Sequence, residues 1–140
     1  MKNFDYFGVL IDCSRNAVPS VEGLKRFFGT IAKMGYNMAM LYTEETYEVE
    51  NEPYFGYKRG RYSMDEIREI DRYAASVGIE LVPCIQTLAH LAPLKRWRAY
   101  RNTVFDIDDI LLIDEPRTYE LIENIFATLE KTFTSRRVHI

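Results

Sequence analysis

Apolar residues along this chain come in two alternating rhythms. Unbroken runs occur at Phe7-Gly8-Val9-Leu10-Ile11, at Met38-Ala39-Met40-Leu41-Tyr42 and from Ile79 to Ile85, and each reads as a buried strand. Between them the spacing becomes helical. Leu24, Phe27, Phe28 and Ile31 follow Pro19-Ser20, with Ser20 as the cap, Glu22 at the positive end of the helix dipole and Gly35 as the stop. Ile67, Ile70, Ala74 and Val77 follow a capping box of Ser63 and Glu66, and Gly78 ends that helix. A third helix starts at Pro116 with Tyr119, Ile122, Phe126, Leu129 and Phe133 as its apolar stripe, and Arg137-Val138-His139-Ile140 begins a fourth strand. Two long connections interrupt the alternation. The stretch from Thr43 to Tyr62 is aromatic and charged; that from Thr87 to Glu115 contains an alternating segment, Phe105 to Leu112, expected to form a hairpin turning at Asp108-Asp109. Pro83 lacks a ladder donor and predicts a bulge or strand end.

The order β-α-β-α-β-α-β predicts an α/β fold with parallel strands joined by right-handed helical crossovers. A sequence that stops on a strand reads as part of a larger (β/α)8 barrel rather than a finished doubly wound sheet, with residues 1–140 forming one unit. Such a piece would expose strand edges and lack its opposite wall, predicting a homo-oligomer. Val9, Ile11, Met38, Met40, Val82, Cys84 and Val138 are the residues expected on the open face.

Composition narrows the function classes. The 140 residues are 47% hydrophobic and 28% charged, with a formal net charge of -3. That balance suits one globular domain and supplies no general drive toward nucleic acid or acidic membranes. The Met1-Lys2-Asn3-Phe4 start has no hydrophobic core of a secretory leader, which makes the cytoplasm the expected location. Cys13 and Cys84 have no partner at zinc or redox spacing and are expected as free thiols near the core; neither a metal nor another cofactor is expected.

The candidate chemistry gathers where strands end, because in parallel α/β proteins a rigid strand there hands over to a variable loop. The first strand runs into Asp12-Cys13-Ser14-Arg15, the second into Thr43-Glu44-Glu45, and the third into Gln86-Thr87-Leu88-Ala89-His90. Arg15 is either a site residue or a salt-bridging surface arginine. Glu44 and Glu45 point to opposite sides of an extended backbone, so at most one faces a site. His90 either lines the site or packs as a hydrogen-bonded histidine. Lys95-Arg96-Trp97-Arg98-Ala99-Tyr100-Arg101 mixes basic and aromatic residues as single-stranded nucleic-acid sites do, but a cluster this short in an acidic chain reads as a helical loop with solvated charges, and no nucleic-acid partner is expected. Trp97 is a sugar-stacking platform or a loop anchor, and Tyr54, Phe55, Tyr57 and Tyr62 divide between loop packing and a carbohydrate subsite. A different class of function, a small Mg²⁺-binding or signalling module, would use Asp12, Glu44 and Glu45 as oxygen ligands.

Four segments in register, Asp12 to Pro19, Leu41 to Tyr47, Gly78 to Pro83 and Ser135 to Ile140, resemble the N-terminal half of the catalytic barrel of glycoside hydrolase family 20, the β-N-acetylhexosaminidases. The likeness is to the branch whose second strand ends in Tyr-Thr-Glu, here Tyr42-Thr43-Glu44. The resemblance implies that Arg15 hydrogen-bonds hydroxyls of a terminal sugar, and that Glu44 and His90 support the general acid. Ala89 stands where the family's third-strand Pro-Gly-His pattern has glycine, and Gln86 replaces an acid of other branches. The family's catalytic Asp-Glu pair follows its fourth strand, which the match places immediately beyond Ile140. The resemblance therefore implies no catalytic residue in this chain: a carbohydrate-binding piece, inert alone, of an enzyme that hydrolyses terminal β-linked N-acetylhexosamine with the substrate's acetamido oxygen as nucleophile.

Overall fold

The computed structural model describes residues 4–101 and 105–140. The Met1-Lys2-Asn3 start and residues 102–104 of the second long connection lie outside the described residues. Three parallel strands, β1 (Gly8–Asp12), β2 (Met38–Glu44) and β3 (Glu80–Ile85), form a sheet in the order β1-β2-β3. The helices are α1 (Val21–Lys33), α2 (Met64–Ser76), a short α3 (Arg98–Arg101) preceded by a 3-10 turn over Ala92–Arg96, and α4 (Pro116–Thr132). None of the described helices is long and apolar enough to cross a membrane.

The caps read from the sequence are in place. Ser20 accepts from the Gly23 amide, and Ser63 and Glu66 close a reciprocal box at the start of α2. Gly35 and Gly78, which follow α1 and α2, adopt φ of +92° and +81°, the left-handed geometry glycine reaches without a Cβ penalty. Helices α1 and α2 then cover one face of the sheet. Leu24, Phe28 and Ile31 of α1 and Ile67, Ile70 and Ala74 of α2 pack with Ala39, Leu41 and Leu81, flanked by Val9 and Ile11. Phe27, expected in that stripe, is exposed instead.

The strand register corrects the expected open face. Leu10 pairs with Met40 and Met40 with Val82, while Asp12 pairs with Tyr42 and Tyr42 with Cys84; these alternate positions face away from α1 and α2. Val9 and Ile11, one residue out of phase, belong to the helix-covered side, and Leu10 takes their place with half its surface exposed. Val138 moves too. His139 bridges Cys84 in parallel, so Val138 points to the other side and lines a groove beside α4.

The expected fourth strand is reduced to that one bridge, in which the His139 amide donates to Pro83 O at 2.9 Å and the Ile85 amide to His139 O at 2.9 Å. Pro83 itself pairs with Leu41 inside a regular stretch of β3, and the irregularity lies on β2, between Tyr42 and Glu44. The hairpin over 105–112 is a single antiparallel bridge from Phe105 to Leu111, with Asp108 in its turn at φ +47°.

Helix α4 starts at Pro116 but buries a different face from the expected one. Thr118, Leu121, Ile125, Thr128, Leu129 and Thr132 are inside, and Tyr119 and Phe126 are exposed. Apolar residues occupy both faces of this helix, and two of the three buried threonines on the inner one satisfy themselves on their own helix: Thr128 and Thr132 hydroxyls donate to the Asn124 and Thr128 carbonyls, both at 2.8 Å, while the Thr118 hydroxyl has no partner among the described residues. A buried carboxylate locks α4 to the long loops. Glu52 accepts both guanidinium nitrogens of Arg117 at 2.7 and 2.6 Å, the Tyr100 hydroxyl at 2.8 Å and the Asn124 amide at 3.0 Å. Around it Tyr47, Val49, Phe55, Leu91, Leu94, Leu111, Leu121 and Ile125 form a second apolar cluster.

Candidate functional site

Each strand delivers one polar group to the same end of the sheet. At the end of β1, Asp12 accepts from the Ser14 hydroxyl at 2.6 Å and the Ser14 amide at 2.8 Å, which folds the chain back and turns Arg15 outward. These two bonds, the hydroxyl first, hold the Asp12 carboxyl below its ordinary range, and burial opposes them only in part. Arg15 Nη1 then donates to Glu44 Oε1 at 2.7 Å and to Ser14 Oγ at 2.5 Å.

Glu44 follows the irregularity of β2 and sits at φ +48°. Its side chain is 6% exposed, against 65% for that of Arg15. The carboxylate is thus fixed from below while the guanidinium faces solvent. Tyr42 donates its hydroxyl to Glu44 Oε1 at 3.0 Å and accepts from the Gln86 amide at 3.1 Å, tying in the end of β3. Burial, followed by the Glu44 carboxylate, raises the Tyr42 phenol, which stays a neutral donor. His90, at φ +59°, places Nδ1 3.3 Å from Asp109 Oδ2 with its ring largely exposed. Arg15, Glu44 and His90 all line one cavity of about 360 Å³, together with Ser14, Asn16 and Arg59. That volume is at the small end of ligand sites. A larger groove, about 640 Å³, runs along α4 past Pro83, Phe126 and Val138, away from these groups.

Glu45 does not line the cavity, and because Glu44 has φ +48° it is the turn there, rather than the alternation of an extended chain, that parts the two carboxylates. It is fully buried rather than solvated, and Arg59 Nε donates to its Oε1 at 2.5 Å. Arg59 went unnoticed in the sequence because it sits in the middle of a loop rich in charges, where nothing local marks the one guanidinium that folds inward.

The arrangement suits an uncharged polyhydroxy ligand. Arg15 uses only Nη1 toward the protein among the described residues, so its remaining N–H groups are available beside a carboxylate, and such paired donors and acceptors match vicinal hydroxyls. It does not suit a divalent cation. Asp12, Glu44 and Glu45 are each committed to separate protein donors, and no group of metal-binding side chains assembles among the described residues. The two Asp-Glu dipeptides in the chain serve as helix starts: Glu66 closes the box on α2, and Glu115 accepts from the Arg117 amide as the cap of α4. Neither pair lines the cavity.

The loop aromatics separate cleanly. Phe55 and Tyr62 are core residues, whereas Tyr54 and Tyr57 are exposed and enclose Trp97, at centroid distances of 5.5 Å and 5.2 Å. The basic-aromatic segment is the 3-10 turn and α3, with Tyr100 buried on Glu52 and its cations at the surface.

No family model matches the chain. Among curated proteins it is similar to a beta-hexosaminidase of Vibrio furnissii, 25% identical over 98% of this chain. Among solved structures it superposes on a family 20 exo beta-N-acetylglucosaminidase of Vibrio harveyi in complex with N-acetylglucosamine, with a TM-score of 0.87, 20% identity and 99% of this chain covered. The chain shares its fold with a part of that family 20 structure. A mutant Streptomyces plicatus beta-hexosaminidase in complex with product GlcNAc gives the same answer, with a TM-score of 0.86 at 23% identity over 99% of this chain. The likeness to these structures is one of fold, and it covers a part of each of them. It spans 28% of the Vibrio furnissii protein, and 27% and 32% of the two solved chains.

Proposed function

We propose that this chain is the N-terminal part of a family 20 catalytic barrel, in a protein that removes terminal β-linked N-acetylhexosamine by substrate-assisted hydrolysis. The observation that carries the reading is the convergence of Arg15, Glu44 and His90. They come from three successive strand ends, far apart in sequence, yet line one cavity. In this reading Arg15 donates to sugar hydroxyls, Glu44 holds Arg15 in place through its 2.7 Å bond, and His90 with Asp109 supports the acid that protonates the leaving oxygen.

The carboxyl pair that orients the acetamide and supplies the acid belongs, in this reading, to sequence after Ile140. The chain alone then binds sugar weakly and turns nothing over. The two buried free thiols support a reducing compartment, hence the cytoplasm, and the half-exposed Leu10 on the uncovered sheet face supports self-association of the isolated chain.

The test reads the coding sequence after Ile140 for an Asp-Glu pair, and assays hydrolysis of a chromogenic N-acetyl-β-glucosaminide and its galacto epimer by the 140-residue chain and by the longer product that such sequence encodes. The longer product is expected to release chromophore and the chain alone none. A longer product inert on both epimers, or turnover by the chain alone that survives Arg15→Ala, overturns the reading.

A further inference from the structure

Arg59 touches three separate segments with one guanidinium. Nε donates to Glu45 Oε1 at 2.5 Å, Nη2 to the Ser14 carbonyl at 2.7 Å, and Nη1 to Asn16 Oδ1. Ser14 and Asn16 are the residues on either side of Arg15. The Arg59 side chain is 13% exposed, and that of Glu45 is fully buried with Oε2 lacking a partner among the described residues. The loop that carries Arg59 is itself pressed onto the end of β2. A Cβ on Gly56, at φ +63°, would stand 2.0 Å from the Glu45 carbonyl, so only glycine allows that approach.

We propose that Arg59 is a positioning residue for Arg15: it ties the Ser14 carbonyl on one side of Arg15 and the Asn16 side chain on the other to the buried Glu45, so that the Arg15 guanidinium is held over the cavity before sugar arrives. This rests on the glycosidase reading of the site. Fixing the loop in advance removes an ordering cost from binding, so loss of the clamp appears in KM more than in kcat. The planar fork is essential, because a lysine ammonium can satisfy Glu45 yet cannot hold the Ser14 carbonyl and Asn16 in the same fixed geometry.

The alternative is that Arg59 merely neutralises Glu45, and the experiment separates the two in the longer gene product. Combining Arg59→Met with Glu45→Gln removes the clamp without stranding a buried charge. The clamp predicts that this pair folds, that KM rises by about tenfold or more, and that adding Arg15→Ala then costs less than about threefold, because both changes act through one contact. Wild-type KM in the charge-free pair, or full multiplication of the two losses, overturns it. Should the pair fail to fold, Arg59→Lys decides: the clamp predicts the same rise in KM, and a lysine variant with wild-type KM overturns it. Activity in the wild-type protein with additive losses removes the clamp alone, whereas an inactive wild-type protein removes the glycosidase reading and the clamp with it.

Discussion

Glu44 and Glu45 show what a sequence discloses about single residues. Only one of the two carboxylates lines the cavity, as expected, but the left-handed backbone of Glu44 rather than the alternation of a strand separates them. Their burial is not local: it depends on Arg15 and Arg59, placed by loops from elsewhere in the chain. The same holds for Glu52, whose partners Tyr100, Arg117 and Asn124 come from α3 and α4. Removing one member of a buried, fully bonded pair leaves the other uncompensated, so Glu52→Ala should lower the unfolding free energy by about 3 kcal/mol in urea titrations. Two aspartates should respond to pH with opposite signs. Hydrogen bonds from Ser14 depress Asp12 in the folded state, so it adds stability above its unfolded pKa that is lost as pH falls through the folded value. Burial raises Asp71, outweighing its bond from Thr134, so it binds its proton more tightly when folded and stability falls as pH climbs through its raised value. Urea titrations from pH 3 to 7 (roughly the carboxylate range) should therefore show the advantage of wild type over Asp12→Asn shrinking toward acid. The deficit relative to Asp71→Asn should grow toward neutral pH. Burial also pushes the Cys13 thiol up to about 11 and raises Cys84, so a disulfide reagent at about pH 8 should find both thiols slow in the folded chain and fast in urea.

At the scale of elements, what carries a short-range code was legible. Caps, glycine stops and continuous apolar runs each rest on neighbours a few residues apart, and α1, α2, β1, β2 and β3 stand where those signals put them. The Ser63 box is the strongest such signal, and Ser63→Ala should cost about 1 kcal/mol in thermal unfolding, with α2 the element that loosens first in hydrogen exchange. The inner face of helix α4 differs from the expected one for a physical reason. Its apolar residues wrap around more than one face, and the choice of inner face belongs to Leu121 and Ile125 against the loop cluster and to threonines that bond back to their own helix. The loop aromatics were undecidable for the same reason, since Phe55 packs edge-on against Tyr47 while Tyr54 stacks on Trp97. Their roles depend on long-range contacts that no spacing rule encodes.

At the scale of the whole molecule, the parallel order follows from alternation alone, but the open face does not. Which residues occupy it turned on a one-residue phase, and the register assigns Leu10 rather than Val9 and Ile11. The end of the sheet where Arg15, Glu44 and His90 meet is the part of the site that the sequence marked, and Arg59 and Tyr42, which hold it, became visible only in three dimensions. The isolated chain should sediment as a dimer or larger species at micromolar concentration, and Leu10→Glu should shift it toward monomer by charging the uncovered face. The central claim, that these strand ends form the sugar-binding edge of a family 20 site, is tested most directly by kcat/KM on a chromogenic N-acetyl-β-glucosaminide for the longer gene product and its Arg15→Ala variant. The account predicts a loss of about tenfold or more, while a change within about threefold would contradict it.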